Sequence, residues 1–207
     1  MSRGLLLIGY GSLFEAVSAQ TPGNWVDRTV EELELTADDA MSPPEGLLEP
    51  YAPQDWDVLA AVGQDGMNFI RLALFSHAKQ RGFKFESFIH SSAVIDPTAK
   101  IGENCFVAEN AVVGPHARVG YNTVIGARSI LGVRAVVDTS AWIGAACTLG
   151  ATSRVGANSV VDAGVIIADG VSVGKQVVLQ IARTYDRDVP DRTYHHSLFD
   201  RPVRIYA

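Results

Sequence analysis

Read at every sixth position from Ile89, the chain gives Ile89, Ile95, Ile101, Val107, Val113, Val119, Ile125, Leu131, Val137, Ile143, Leu149, Val155, Val161, Ile167, Val173 and Leu179. Every one is a branched aliphatic, and the phase never breaks. The residue after each is mostly Gly, Ala or Asp (Asp96, Gly102, Ala108, Gly114, Gly120, Gly126, Gly132), and the fourth after each is mostly small (Ala93, Ala99, Cys105, Ala111, Ala117, Thr123, Ser129). A helix repeats near 3.6 residues and a flat strand near 2, so a strict period of six needs another geometry. A short strand and a tight turn fit it. The aliphatic points inward, the Gly or Asp helps the turn, and the small residue fills the remaining interior. Three such strands close a triangular coil, so residues eighteen apart stack into ladders such as Ile95, Val113, Leu131, Leu149 and Ile167. About five coils at the usual strand spacing make a prism roughly 24 Å tall. Each coil buries its aliphatics only against its neighbours, as in any solenoid.

Outward from the repeat, the chain has 207 residues, 47% hydrophobic and 19% charged, the balance of a soluble globular protein of up to two small domains. Net charge is -6 with no basic cluster suited to a phosphate backbone, which argues against nucleic acid. No segment reaches membrane-spanning length and no signal peptide is evident, so no membrane partner and a cytoplasmic location are the default expectations. Cys105 and Cys147 both occupy the small inward position on different faces of the prism and read as buried small hydrophobes.

Residues 1–88 read as a small parallel α/β domain. Gly4 to Ile8 is a buried strand, Gly9-Tyr10-Gly11-Ser12 a glycine turn, and Leu13 to Ala19 a helix with Ser12 as its cap. Backbone amides at such a turn suit a phosphate, although a tight turn of purely structural purpose reads almost as well. Asn24 to Asp27 reads as a second short strand with Asp27 at its end, and Glu31 to Gln54 as an irregular acidic connection. Asp57 to Gly63 is the next strand and glycine turn, Met67 to Arg81 a helix, and Phe83 to Ile89 a last strand leading into the first hexad. Domain boundaries follow: an α/β, Rossmann-like unit at 1–88, a β-solenoid at 89–180, and a tail at 181–207 rich in Arg, Asp and Tyr.

The hexads resemble the hexapeptide repeat of left-handed parallel β-helix proteins, mostly trimeric acyltransferases. The stretch Asp57-Val58-Leu59-Ala60-Ala61-Val62-Gly63, then Gly82-Phe83-Lys84 and Phe88-Ile89-His90-Ser91-Ser92-Ala93, is similar to the junction of NeuD/PglD-like sugar acyltransferases. That resemblance implies transfer of an acyl group, acetyl first among them, from acyl-coenzyme A to an amino or hydroxyl group of a nucleotide-linked sugar in bacterial surface-glycan biosynthesis. It implies a homotrimer with donor grooves between prisms. It places Gly9, Gly11, Ser12, Asp27 and Gly63 near the sugar nucleotide. The family's opening Gly-x-Gly-Gly-His-Gly reads here Gly9-Tyr10-Gly11-Ser12-Leu13-Phe14. Its His-Glu pair maps to Val133 and Arg134, and a second histidine that contacts the coenzyme maps to Trp142. Arg134 is left to hold a phosphate or carboxylate, and backbone amides near Gly144 and Ala151 to position the donor.

With the family base replaced by valine, His116 is the one prism histidine available as a relocated base, against its reading as a solvent-facing turn residue. His90 reads as part of the junction, His77 as exposed on its helix, and His195 and His196 as a surface pair in the tail, within reach of a neighbouring subunit. A base-free route, in which a neutral amine meets the thioester and the departing thiolate takes the proton, tolerates Val133. Asp138 and Asp162 read as turn residues. No metal is expected, since three histidines do not converge. The competing expectations are a catalytically silent trimeric scaffold or regulator, and an acyltransferase for a non-sugar metabolite.

Overall fold

The computed structural model describes residues 3–204. The chain divides into two compact units, Met1–Phe88 and Ile89–Ala207.

In the first unit, four parallel strands, β1 (Gly4–Gly9), β2 (Val30–Glu34), β3 (Trp56–Ala61) and β4 (Lys84–Phe85), lie in the order β2-β1-β3-β4. Leu5 pairs with Val30 and with Asp57, and Gly9 with Glu34 and Ala61. The continuous apolar run of β1 is buried on both faces, as a central parallel strand requires. Helices α1 (Gly11–Ser18), α2 (Thr21–Asn24), α3 (Ala37–Met41) and α4 (Phe69–Gln80) accompany the sheet. Leu74, Phe75 and Ala78 of α4 pack with Val58, Ala60, Phe83 and Phe85, and the Phe75 and Phe85 rings lie 4.4 Å apart.

Three sequence expectations change here. The second strand is Val30–Glu34, not Asn24 to Asp27, because Thr21-Pro22-Gly23-Asn24 closes a helical turn with Pro22 near its start. The acidic connection is partly ordered: Thr36 and Asp39 form a reciprocal capping box for α3, and Leu48 is fully buried. Ser12 is inside α1, whose cap is Tyr10.

The second unit is a three-faced parallel coil. Its first face carries the inward ladder Ile89, Val107, Ile125, Ile143, Val161, Leu179; its second, Ile95, Val113, Leu131, Leu149, Ile167; its third, Ile101, Val119, Val137, Val155, Val173. From Val107 on, these ladder residues are almost wholly buried, none more than 4% exposed. The small residues fill the corners, and two of their hydroxyls are satisfied by the next coil: Ser129 Oγ donates to Gly144 O at 2.7 Å and Ser159 Oγ to Gly174 O at 2.8 Å.

The residue that turns the chain is not the glycine after the aliphatic. It is the residue two positions later, which has positive φ in thirteen successive hexads from Asn104 to Gln176. Its N–H donates to the coil below, as Asn122 N does to Glu103 O at 2.8 Å. In the first coil the hydroxyls of Ser92 and Thr98 accept instead, from Asn110 N and His116 N. The glycines answer close approach: a Cβ on Gly126 would come within 2.5 Å of the Gly144 carbonyl carbon.

Winding continues past residue 180, where a tail was expected. Thr184–Tyr185 pairs with Ile166–Ile167, Val189 bridges Val173, and Thr193–His195 pairs with Val178–Leu179. Tyr185 and His195 occupy the inward ladder positions of a last, shortened coil. An antiparallel strand, Val203–Arg204, then covers the first face's end. Residues 205–207 of the expected tail lie outside the described residues.

Candidate functional site

The prism has three edges. The edge between its second and third faces is built from turns 114–117, 132–135 and 150–153. Stacking is fixed by hydrogen bonds from Arg134 N to Pro115 O at 2.9 Å and from Thr152 N to Val133 O at 2.8 Å. His116 and Arg134 both sit at the positive-φ position, one coil apart, with φ of 58° and 57°. With Arg118 and Val136 of the third face they line a cavity of about 340 Å³. His116, Arg118, Val133 and Arg134 are all exposed. The Asp96 carboxyl, one coil below, is held below its usual range by hydrogen bonds from the hydroxyl and N–H of Thr98, with a smaller contribution from His116.

Arg118 was not singled out from the sequence. It belongs to an outward column on the third face, Lys100, Arg118, Val136, Arg154 and Ser172, each in the position before its inward aliphatic. Arg154 makes a two-oxygen ion pair with Asp138, at 2.6 and 2.8 Å. The eighteen-residue recurrence of the cations was the available signal. Asp138 therefore has a partner beyond its turn. The Asp162 carboxyl is pushed up by burial, against a hydrogen bond from Gln180.

Trp142 and Gly144 lie elsewhere. Trp142 faces outward on the first face, between Val124 and Val160. Gly144 opens a turn on the edge between first and second faces, where Glu109, Asn110, Arg128 and Ala145 line a cavity of about 330 Å³. The second face separates this group from His116, Val133, Arg134 and Ala151. The two amides expected to position a donor are engaged within the chain: Gly144 N donates to Val161 O at 2.7 Å and Ala151 N to Asp169 Oδ1 at 2.8 Å.

In the first unit, Gly9, Gly11, Ser12 and Gly63 gather at the carboxyl end of the parallel strands, where open α/β sheets bind ligands. Gly9 is needed for packing, since a Cβ there would lie 1.9 Å from Ala61 O, whereas Gly11 has φ +71° and open space around it. Asp27 is at the opposite end, exposed in the turn before β2. That end is tied by Arg28, which reaches Asp57 at 2.8 Å, Glu86 at 2.9 Å and the carbonyls of Arg3 and Gly4.

The remaining histidines also differ from expectation. His195 is not part of a surface pair: it is 7% exposed, both ring nitrogens lack a partner, and burial, helped by Arg183, pushes its pKa down. His196 stacks on Tyr194. His77 is half-buried on α4, and burial lowers its pKa, with Arg81 adding to the effect. His90 bonds Ser92 Oγ at 2.8 Å and faces Glu109 at 3.9 Å. Cys105 and Cys147 are buried, and burial raises the Cys147 thiol. Among the described residues no group of three His, Cys, Asp or Glu is placed to hold a metal ion, and no helix is long and apolar enough to cross a membrane.

A triangular parallel coil preceded by a small parallel α/β unit defines the class: a left-handed β-helix fold, by its likeness to solved structures that include acetyltransferases. PerB from Caulobacter crescentus, solved with CoA and GDP-perosamine, is 25% identical, with 92% of each chain covered and a TM-score of 0.68. The acetyltransferase domain of PglB from Neisseria gonorrhoeae, solved with acetyl coenzyme A, is 24% identical over 94% of this chain and 96% of that one, with a TM-score of 0.81. WeeI from Acinetobacter baumannii is 14% identical over 98% and 100%, at 0.55. No curated protein matches the sequence. Residues 83–189, just over half of the chain, match the family described as the GMPPB C-terminal domain, and the chain belongs to that family.

Proposed function

We propose that this protein is an acyl-coenzyme A-dependent acyltransferase acting on an amino group of a nucleotide-linked sugar, with acetyl as the acyl group. The observation that carries the reading is the likeness to PerB, spread over both units and 92% of each chain, in a structure whose bound molecules are CoA and GDP-perosamine. The Rossmann-like first unit, 1–88, binds the nucleotide around Gly9, Gly11, Ser12 and Gly63. The prism binds the donor.

A homotrimer accounts for the division of the site. Trp142 and Gly144 stand on one side of the second face, and His116, Val133, Arg134 and Ala151 on the other. Neighbouring copies bring one chain's first group against another's second. The second face suits packing: its outward column, Val94, Val112, Ile130, Thr148 and Ile166, holds no charge. Arg134 and Arg118 hold an anionic part of donor or acceptor by charge-assisted hydrogen bonds.

Valine at 133 cannot accept a proton, so N-acylation proceeds without a protein base at that position. A neutral amine attacks the thioester carbonyl, the C–N bond forms, the C–S bond breaks, and the departing thiolate takes the amine proton. His116 then stands as a turn residue near the reacting edge. The test is release of free thiol from acetyl-coenzyme A against a panel of nucleotide-linked amino sugars. His116→Ala should leave the rate within about twofold of wild type, whereas loss of a general base costs about 10²–10⁴-fold. A second reading, a silent trimeric scaffold, draws on Val133 and the engaged amides of Gly144 and Ala151. Saturable acetyl-coenzyme A binding without thiol release across the panel, nucleotide-free amines included, selects it.

A further inference from the structure

The third edge of the prism, between its third and first faces, carries none of the residues assigned to acyl transfer. Over its last three turns, 156–159, 174–177 and 190–193, it opens into a cavity of about 700 Å³, within the range of small-molecule sites. The wall is rich in donors. Lys175, Arg192 and Arg204 each bring a positive charge to it, and Asp191 the one negative charge. The chain as a whole is negative, at -6, so this concentration runs against the background.

Two of the acceptors in the wall are already engaged. Asp191 Oδ1 accepts from Lys175 N at 2.8 Å, and Gln176 Oε1 from Arg192 Nε at 3.0 Å. The Gln176 bond turns its amide so that the remaining polar group is NH₂, another donor. Below it, Asn158 Nδ2 is closed off from water and has no acceptor. Asn158 lines the cavity, and a small rotation of its side chain toward it would let a ligand oxygen meet that donor. In the earlier coils of the same edge, the equivalent side chains do find each other: Asn104 Nδ2 donates to Asn122 Oδ1 at 2.7 Å, and Asn122 Nδ2 to Ser140 Oγ at 3.0 Å. The ladder of amides is thus self-satisfied in the early coils and incomplete where the cavity opens.

We propose that this cavity binds a small phosphorylated metabolite, at a site separate from the acyl-transfer edge. A phosphate offers several acceptors and at least one full negative charge, matching a lysine, two arginine forks and two amide donors. The volume leaves room for an organic group beside it.

The test is calorimetric titration of the full chain with inorganic pyrophosphate at low ionic strength. The expected result is one saturable site at this edge, weakened about tenfold or more in Lys175→Ala/Arg204→Ala, since each charge-assisted bond contributes about 1.5–3 kcal/mol. Both side chains are exposed, so the truncations spare the core. Asn158→Asp, which replaces the buried donor with an acceptor at a positive-φ position that Asp tolerates, should weaken it as well. Arg134→Ala should leave this site intact. Absence of saturable heat, full-strength binding in the double variant, or loss in Arg134→Ala would overturn the proposal. So would stoichiometric displacement of pyrophosphate by acetyl-coenzyme A together with weakened acetyl-coenzyme A binding in Lys175→Ala, because the cavity would then belong to the donor. None of these results bears on whether thiol is released, so the acyltransferase reading stands or falls separately.

Discussion

Replacing His195 with leucine should stabilise the protein, and more so in acid. His195 sits where the first face's inward ladder, Val107, Ile125, Ile143, Val161 and Leu179, would place its next aliphatic. Its ring is 7% exposed, and neither nitrogen has a partner. A buried polar atom without a partner costs about 1–3 kcal/mol, and a neutral imidazole carries one donor and one acceptor. Against that stands the edge-to-face contact with Tyr185, at 5.5 Å between centroids, of a kind that contributes about 0.5–1.5 kcal/mol. The net gain for His195→Leu is about 1–2 kcal/mol near neutrality, or about 2–8 °C in Tm for a chain of this size. The pH dependence follows from linkage. Burial, reinforced by Arg183, lowers the folded-state pKa of His195 below 6.5. Below that pH the unfolded chain binds a proton at this residue that the folded chain refuses. The wild type therefore loses stability as pH falls from about 6.5 toward the folded-state value, by at most about 1.4 kcal/mol per pH unit from this group. His195→Leu removes that slope. Urea unfolding of both proteins at about pH 7.5 and about pH 5.5 measures it, and other titrating groups cancel in the difference. A variant less stable at about pH 7.5, or a stability gap equal at the two pH values, would refute the reasoning.

Thr152 holds a β-branched side chain at φ 58°, while four other turns use Asn104, Asn110, Asn122 and Asn158. Thr152→Asn should raise the unfolding free energy by about 1 kcal/mol, read as a higher urea midpoint with unchanged slope, because the left-handed conformation costs a residue other than Gly or Asn about 1–2 kcal/mol. Leu149→Ala, at a fully buried mid-ladder position, should cost about 3–5 kcal/mol by the same assay. Arg28→Ala should cost about 1–3 kcal/mol, since it removes one of the two cations on Asp57, leaving Arg3 at 2.7 Å, and strands two strand-end carbonyls of the first unit; Arg28→Lys should recover less than half of that, because an ammonium cannot span the same four acceptors.

The β-helix was legible because its energetics repeat. Hexads place one aliphatic inward sixteen times over, with a small residue at most corners and a positive-φ residue at thirteen turns, so copies of a weak signal add without interference. Where the last coil shortens, the signal fails. Val189 follows Val173 by sixteen residues rather than eighteen, and the neighbouring ladder positions hold Tyr185 and His195 instead of aliphatics. A period read as branched aliphatics alone stops at Leu179, which is why the closing coil read as a tail. The second strand was displaced for a related reason: Trp25 and Val26 are apolar, but Pro22 sets a helical turn before them, and the alternation that matters starts at Val30.

The site was less legible because it depends on neighbours eighteen residues apart and on which hydrogen bonds remain unspent. Arg118 beside His116 and Arg134 is invisible to a reading that proceeds turn by turn, as is Arg154 against Asp138. Backbone amides at Gly144 and Ala151 look available from residue type, yet the parallel ladder takes one and Asp169 the other. The same accounting singles out Asn158, whose type gives no hint that its donor is stranded. In a solenoid the backbone satisfies itself coil upon coil, so function falls to side chains on edges and to the few places where stacking leaves a polar group unmet. His116 and Arg134 are exposed edge side chains of the first kind, and Asn158 at the cationic end of the third edge is an unmet group of the second.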